Sequence, residues 1–119
     1  MKRISLLIVF ASLFFNSCIP FRTLNSTTNI NPKESFILGN NNHGKFSAKV
    51  TNSSVTPITI WKCALDGGKH SPITLNQSTT IKVKVEKNTA LKIQNESEEK
   101  ISIQLKVSGD IGLSMGYQK

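Results

Sequence analysis

Cysteine is scarce in this chain, with only Cys18 and Cys63 among 119 residues. No disulfide-dense scaffold can be built from two thiols, so the fold has to rest on an apolar core. Aromatic side chains are also sparse, with a single tryptophan, Trp61, and a single tyrosine, Tyr117. Acidic residues number 7 against 15 basic ones, a formal charge of +8. Beyond residue 15 there is no long apolar run, and nowhere do apolar residues recur at the 3.6-residue period of an amphipathic helix. A helical bundle and a cross-linked mini-protein are thereby excluded.

The chain does contain a distinctive start. Lys2 and Arg3 precede an apolar run from Ile4 to Phe15, which closes on Asn16, Ser17 and Cys18. A basic beginning, about a dozen apolar residues and a small-residue exit describe an export leader. The run is too short to span a bilayer, which takes ~20 apolar residues. Because it ends on a cysteine, the segment resembles the signal peptide of bacterial lipoproteins. The Phe15-Asn16-Ser17 box keeps only Ser17 of the usual Leu-small-small pattern. The resemblance implies loss of residues 1–17 and acyl chains on Cys18. It also implies sorting to the outer membrane, since Ile19 stands where an Asp would retain the protein in the inner one. Several acyl chains, at ~0.8 kcal/mol per buried methylene, anchor a protein that one chain alone would not hold.

Without the leader about 100 residues remain, enough for one small domain. The basic excess falls by only two, and nearly all of it is lysine. Such a balance outside the cytosol suits anionic headgroups or acidic wall polymers, whereas lysines on alternating strands read more simply as solvated faces that discourage edge pairing. Nucleic acid is not an expected partner, because no basic patch is interleaved with aromatics. Residues 18–33, rich in Asn, Ser and Thr, read as a flexible tether. The Asn-x-Ser/Thr triplets at Asn25, Asn52, Asn76 and Asn95 carry no glycan expectation in a bacterial chain.

From residue 34 to 119 the pattern has period two. Phe46, Ala48 and Val50 alternate with polar residues, as do Ile81, Val83 and Val85, and again Ile101, Ile103, Leu105 and Val107. Turn-prone stretches separate these runs. The expectation is an all-β domain, a small antiparallel β-sandwich of immunoglobulin-like or jelly-roll-like kind with about eight strands. Residues 49–60 align without a gap on residues 92–103, so that Lys49 matches Lys92, Asn52 matches Asn95 and Ile60 matches Ile103. Both copies read as strand, Asn-x-Ser turn and strand, which suggests two similar hairpins.

That alignment creates a conflict. If Ile58 and Ile60 face the core, Lys62 falls where Leu105 is buried, and Trp61 and Cys63 point outward. A bulge after Ile60 would bury Trp61, Cys63 and Leu65 and spare the lysine. A regular strand would instead show the indole, and Trp61 with Lys62 would be the candidate ligand contact.

No catalytic or cofactor chemistry is expected. Gly112-Leu113-Ser114-Met115-Gly116 matches a nucleophile elbow, but only Tyr117, Gln118 and Lys119 follow, without the helix, acid and histidine that the serine needs. Alternation of Ile111, Leu113, Met115 and Tyr117 with small residues reads as a last strand. His43, Cys63, His70 and Met115 are the residue types of a copper site without its spacing. Glu96, Glu98 and Glu99 share a polar turn that suggests no burial. The expectation is therefore a lipid-anchored binding or interaction module of the cell envelope, with a protein or glycan as partner. Alternatives are a structural accessory subunit that pairs by an edge strand, and an enzyme inhibitor. For the latter, Ser108-Gly109 is similar to the Ser-Gly loop of small periplasmic lysozyme inhibitors, although Asp110-Ile111 lacks their tyrosine.

Overall fold

The computed structural model describes residues 23–65 and 68–119; the leader and Cys18 lie outside them. Nine strands make up the described chain, which has no helix: β1 (Thr23–Ile30), β2 (Ser35–Leu38), β3 (Phe46–Asn52), β4 (Ile58–Ala64), β5 (Lys69–Leu75), β6 (Thr80–Val85), β7 (Thr89–Gln94), β8 (Ile101–Gly109) and β9 (Met115–Gln118). They form a four-stranded sheet in the order β1-β8-β3-β6 and a five-stranded sheet in the order β5-β4-β7-β2-β9. All pairings are antiparallel, so the protein is an all-β sandwich.

The pairing pattern settles the topology. β1 pairs with β8, β2 with β7, β3 with β6 and β4 with β5. The chain is one long antiparallel ribbon with its tip at the β4–β5 turn, rolled up so that successive rungs fall in alternate sheets. This is a jelly roll. Cross-pairings of β3 with β8 and of β4 with β7 knit the turns of the roll together, and β9 adds to β2. Burial alternates along β3 and β8, as their sequences anticipate, and Val50, Ile60, Leu91, Ile93, Ile103 and Val107 lie fully or almost fully buried between the sheets. Each such side chain contributes about 1.5–3 kcal/mol relative to leaving it in water.

Two expectations need correction. The segment expected as a tether contains β1, which pairs with β8 along its whole length. Its inward positions are Leu24, Ser26, Thr28 and Ile30, and Ser26 Oγ and Thr28 Oγ1 share a hydrogen bond of 3.0 Å. A strand whose inward face is half hydroxyl shows no apolar alternation, and its stability comes from β8. The two similar segments are also not hairpins. β3 and β4 lie in different sheets, as do β7 and β8, so each Asn-x-Ser turn is an arch that carries the chain across the sandwich.

The arches show why the asparagines recur. Asn52 and Asn95 are both fully buried. The Asn52 amide donates to the carbonyl oxygens of Thr56 (2.8 Å) and Leu75 (3.1 Å), and its Oδ1 accepts from Ser54 N (3.0 Å) and Ser54 Oγ (2.6 Å). Asn95 donates to Glu99 (2.7 Å), Ile30 (3.0 Å) and Asn31 (3.1 Å), and accepts from Ser97 N (3.0 Å) and Ser97 Oγ (2.6 Å). A crossing between sheets leaves backbone carbonyls inside the molecule without a ladder partner, and a buried amide satisfies them.

Candidate functional site

The conflict at Trp61 is resolved on the neighbouring strand. Pairing of β4 with β7 runs without interruption from Thr59 to Ala64. Against β5, Ile60 faces Ile73 but Lys62 faces His70, so the extra residue belongs to β5. Ser71, at a φ of 57°, lies in that bulge with Pro72 beside it. β4 therefore keeps its alternation, contrary to the expectation that a bulge after Ile60 would bury the indole. Trp61 and Cys63 stand half-buried on the outer face of the five-stranded sheet, and Leu65 is exposed beyond the strand. Lys62 takes the inward position opposite Leu91. Its ammonium reaches the rim of the sandwich, where it lies 3.5 Å from Glu86 Oε1 at the end of β6. Trp61 and Lys62 thus do not share a face.

Trp61 instead stands beside a basic, small-residue depression. The indole Nε1 donates to Gln94 Oε1 at 3.0 Å, which ties the ring to β7. Lys69 Nζ sits 4.5 Å from the centre of the ring, a cation–π arrangement. Lys92 lies directly opposite Trp61 on β7, and Ala90 directly opposite Cys63. Small side chains at Cys63 and Ala90 leave a shallow hollow of ≈ 410 Å³, bordered by Lys69, Lys92, Leu65 and Ile37. Burial pushes the Cys63 thiol above its ordinary value, while the charges of Lys92 and Lys69 pull in the opposite direction without cancelling the rise. Among the described residues neither lysine has a carboxylate in ion-pair contact.

The outer face of the four-stranded sheet is different in kind. Lys82, Lys49 and Lys106 are directly opposite one another across β6, β3 and β8, and Asn25 on β1 extends the row. The next row holds Thr80, Thr51, Gln104 and Thr27, with Thr51 Oγ1 and Thr80 Oγ1 2.8 Å apart. On the other side lie Lys84, Ser47, Ser108 and Thr23. No outward position of these strands carries an acidic or aromatic side chain.

The remaining candidates disperse. Ile111 and Leu113 pack against the core from an extended segment, and only Met115–Gln118 form the last strand, with Met115 and Tyr117 exposed. Ser114 leads into that strand and not into a helix. His43 is buried, its ring nitrogens 2.6 Å from Gly44 O and 2.8 Å from Thr89 O, whereas His70 is exposed on β5. Among the described residues no three His, Cys, Asp or Glu side chains gather to hold a metal ion. Glu96, Glu98 and Glu99 are exposed in the second arch, where Lys33 pairs with Glu98 at 3.3 Å. Ser108-Gly109 belongs to β8 and does not form a loop. Gly109, at a φ of 99°, approaches Lys45 so closely that a Cβ would meet its carbonyl oxygen at 2.9 Å.

These features define a small jelly-roll protein with two chemically distinct outer faces. No protein-family model matches the chain, and no curated protein matches it. Among solved structures it is similar to the mitogen of Yersinia pseudotuberculosis, with 17% identity over 73% of this chain and 85% of that one and a TM-score of 0.43.

Proposed function

We propose that the protein is a non-catalytic binding module of the cell envelope, anchored through acyl chains on Cys18 and taking its ligand on the Trp61 face of the five-stranded sheet. The single observation that carries the reading is the oriented indole. Trp61 is half-exposed on a sheet face, held by Gln94 and bordered by a hollow with two lysines on its rim. An aromatic surface beside donors suits a sugar ring or a protein side chain. Support for the anchor comes from the leader sequence that ends at Cys18.

Trp61 is the only tryptophan, so its fluorescence reports directly on this face. Titration with cell-wall glycan fragments and with solubilised envelope proteins should shift or quench that emission, and Trp61→Phe should weaken the same binding measured by calorimetry. Unchanged emission throughout would remove Trp61 from the binding surface. The intact mass of membrane-extracted protein tests the anchor separately: Cys18 to Lys119 plus acyl chains is the expected species, and an unmodified soluble chain would end the envelope reading.

A second reading, the accessory subunit, is favoured by two edge strands, β1 and β9. β6 carries Lys82 and Lys84, and β5 carries a bulge and Pro72, both features that discourage pairing. β9, with Met115, Gly116, Tyr117 and Gln118 all exposed, has no such defence within the strand, and neither has β1. A partner could add a strand there. Met115→Lys should abolish co-purification of a stoichiometric subunit while leaving Trp61-dependent binding intact.

A further inference from the structure

The lysine row of the four-stranded sheet needs an explanation that the rest of the molecule does not supply. Like charges directly opposite across strands destabilise a sheet, and here Lys49 faces Lys82 on one side and Lys106 on the other. Defence of an edge accounts for Lys82 on β6. It does not account for Lys49 and Lys106, because β3 and β8 are the central strands. Among the described residues none of the three lysines has a carboxylate partner, and Glu86, past the end of β6, is engaged with Lys62.

Shape adds a second observation. Two shallow hollows, of ≈ 370 Å³ and ≈ 420 Å³, lie side by side on this face and share Lys49 and Lys106 between them. Together they make a trough across the strands whose midline is cationic and whose sides are hydroxyls and amides of Thr51, Gln104, Ser47 and Ser108. From strand spacing the row of ammonium groups spans about 10 Å. A trough lined this way matches a linear ligand that carries negative charge along its length and hydroxyls at its sides. A flat bilayer surface needs no trough. Single-stranded nucleic acid needs stacking surfaces, and this face has no aromatic side chain.

We infer that the outer face of the four-stranded sheet binds an acidic polysaccharide, with Lys82, Lys49 and Lys106 holding its carboxylate, sulfate or phosphate groups and the flanking side chains its hydroxyls. This site is separate from the Trp61 face and does not depend on lipid at Cys18.

The test uses the chain from residue 18 onward with Cys18→Ser, which contains all nine described strands, and polygalacturonate and heparin as probes, with dextran as the neutral polymer. Binding to the acidic polymers in ~0.15 M salt and none to dextran are expected. Lys49→Gln, Lys82→Gln and Lys106→Gln together should weaken binding at least about tenfold, equivalent to ~1.4 kcal/mol. Lys87→Gln, Lys100→Gln and Lys119→Gln, which remove the same charge from outside this face, should weaken it less than about threefold. Equal losses in the two triple variants would reduce the effect to net charge and overturn the proposal. So would tighter row-dependent binding to phosphatidylglycerol vesicles, or to oligothymidylate, than to either polysaccharide. Thermal unfolding of both variants separates lost binding from lost folding, and Trp61→Phe separates this site from the one on the opposite face.

Discussion

The arch after Asn52 and the arch after Asn95 share the serine-to-asparagine bonds and the amide bond to the fourth residue on, yet the strands that leave them diverge. β8 leaves its arch with Ile101, Ile103, Leu105 and Val107 all inward and buried. β4 leaves its own with Ile58 and Ile60 inward, and then places Lys62 at the position that Leu105 occupies in the other copy. Outward, β4 shows Trp61 and Cys63 where β8 shows Gln104 and Lys106. The preceding strands pair the equivalent lysines differently: Lys49 is set between two other lysines, and Lys92 faces Trp61. A crossing between sheets constrains the turn tightly, because buried carbonyls must be satisfied there. The solvent faces beyond it are free to specialise, and each copy gives one strand to the cationic face and one to the aromatic face.

The comparison can be broken first at the asparagines. Asn95→Ala removes an amide whose two N–H groups are shared among three carbonyls, one of them at the end of β1, and should cost roughly 3–5 kcal/mol. Asn52→Ala removes donors from two and should cost roughly 2–4 kcal/mol. Urea midpoints at constant slope measure both, and a larger loss at Asn52 would show that carbonyl satisfaction does not set the scale. Next comes the inward position. Leu105→Lys should destabilise by about 3 kcal/mol, since no acid faces it, whereas Lys62→Leu should stabilise by about 1 kcal/mol. A loss on Lys62→Leu would mean that the ion pair with Glu86, and not the burial of the stem, holds that rim.

Smaller effects sharpen the contrast between the faces. Lys49→Thr relieves two opposed charges and should stabilise by about 0.5 kcal/mol at low salt, a gain that vanishes in 1 M salt where the screening length is ~3 Å. Lys92→Thr should give no such gain, because its direct neighbour on β4 is an indole. The smallest effect concerns Cys63. Its folded-state thiol titrates above the ordinary value of 9.0, so the folded state favours the neutral form. Stability is unaffected below the ordinary value and declines as pH rises from there toward the raised one. Cys63→Ala should remove that alkaline decline. A decline that persists in the variant would have its origin elsewhere.

Much of the architecture was legible in the alternation of Phe46 to Val50 and of Ile101 to Val107, since one buried face imposes period two whatever the strand order. β1 was not legible, because Ser26 and Thr28 fill its inward positions and its place depends on β8. The similarity of residues 49–60 to 92–103 was visible, but strand-turn-strand reads alike whether the two strands pair or cross between sheets. At the candidate site Trp61 was visible as an anomaly, and Lys69 and Lys92 were not, because nothing local says which strands flank β4. The alternation suggests a bulge in β4, but it belongs to β5, where the positive φ of Ser71 takes up the extra residue.

The all-β class, the apolar core and the shared Asn-x-Ser turns follow from the sequence alone, because side-chain periodicity and turn chemistry act within a few residues. Only the tertiary structure decided that the turns are arches, that Lys62 faces inward while Trp61 faces out, and that Lys82, Lys49 and Lys106 stand in one row. Each of those depends on register between strands distant in the chain, and register is set by how the whole ribbon buries its apolar face when it rolls.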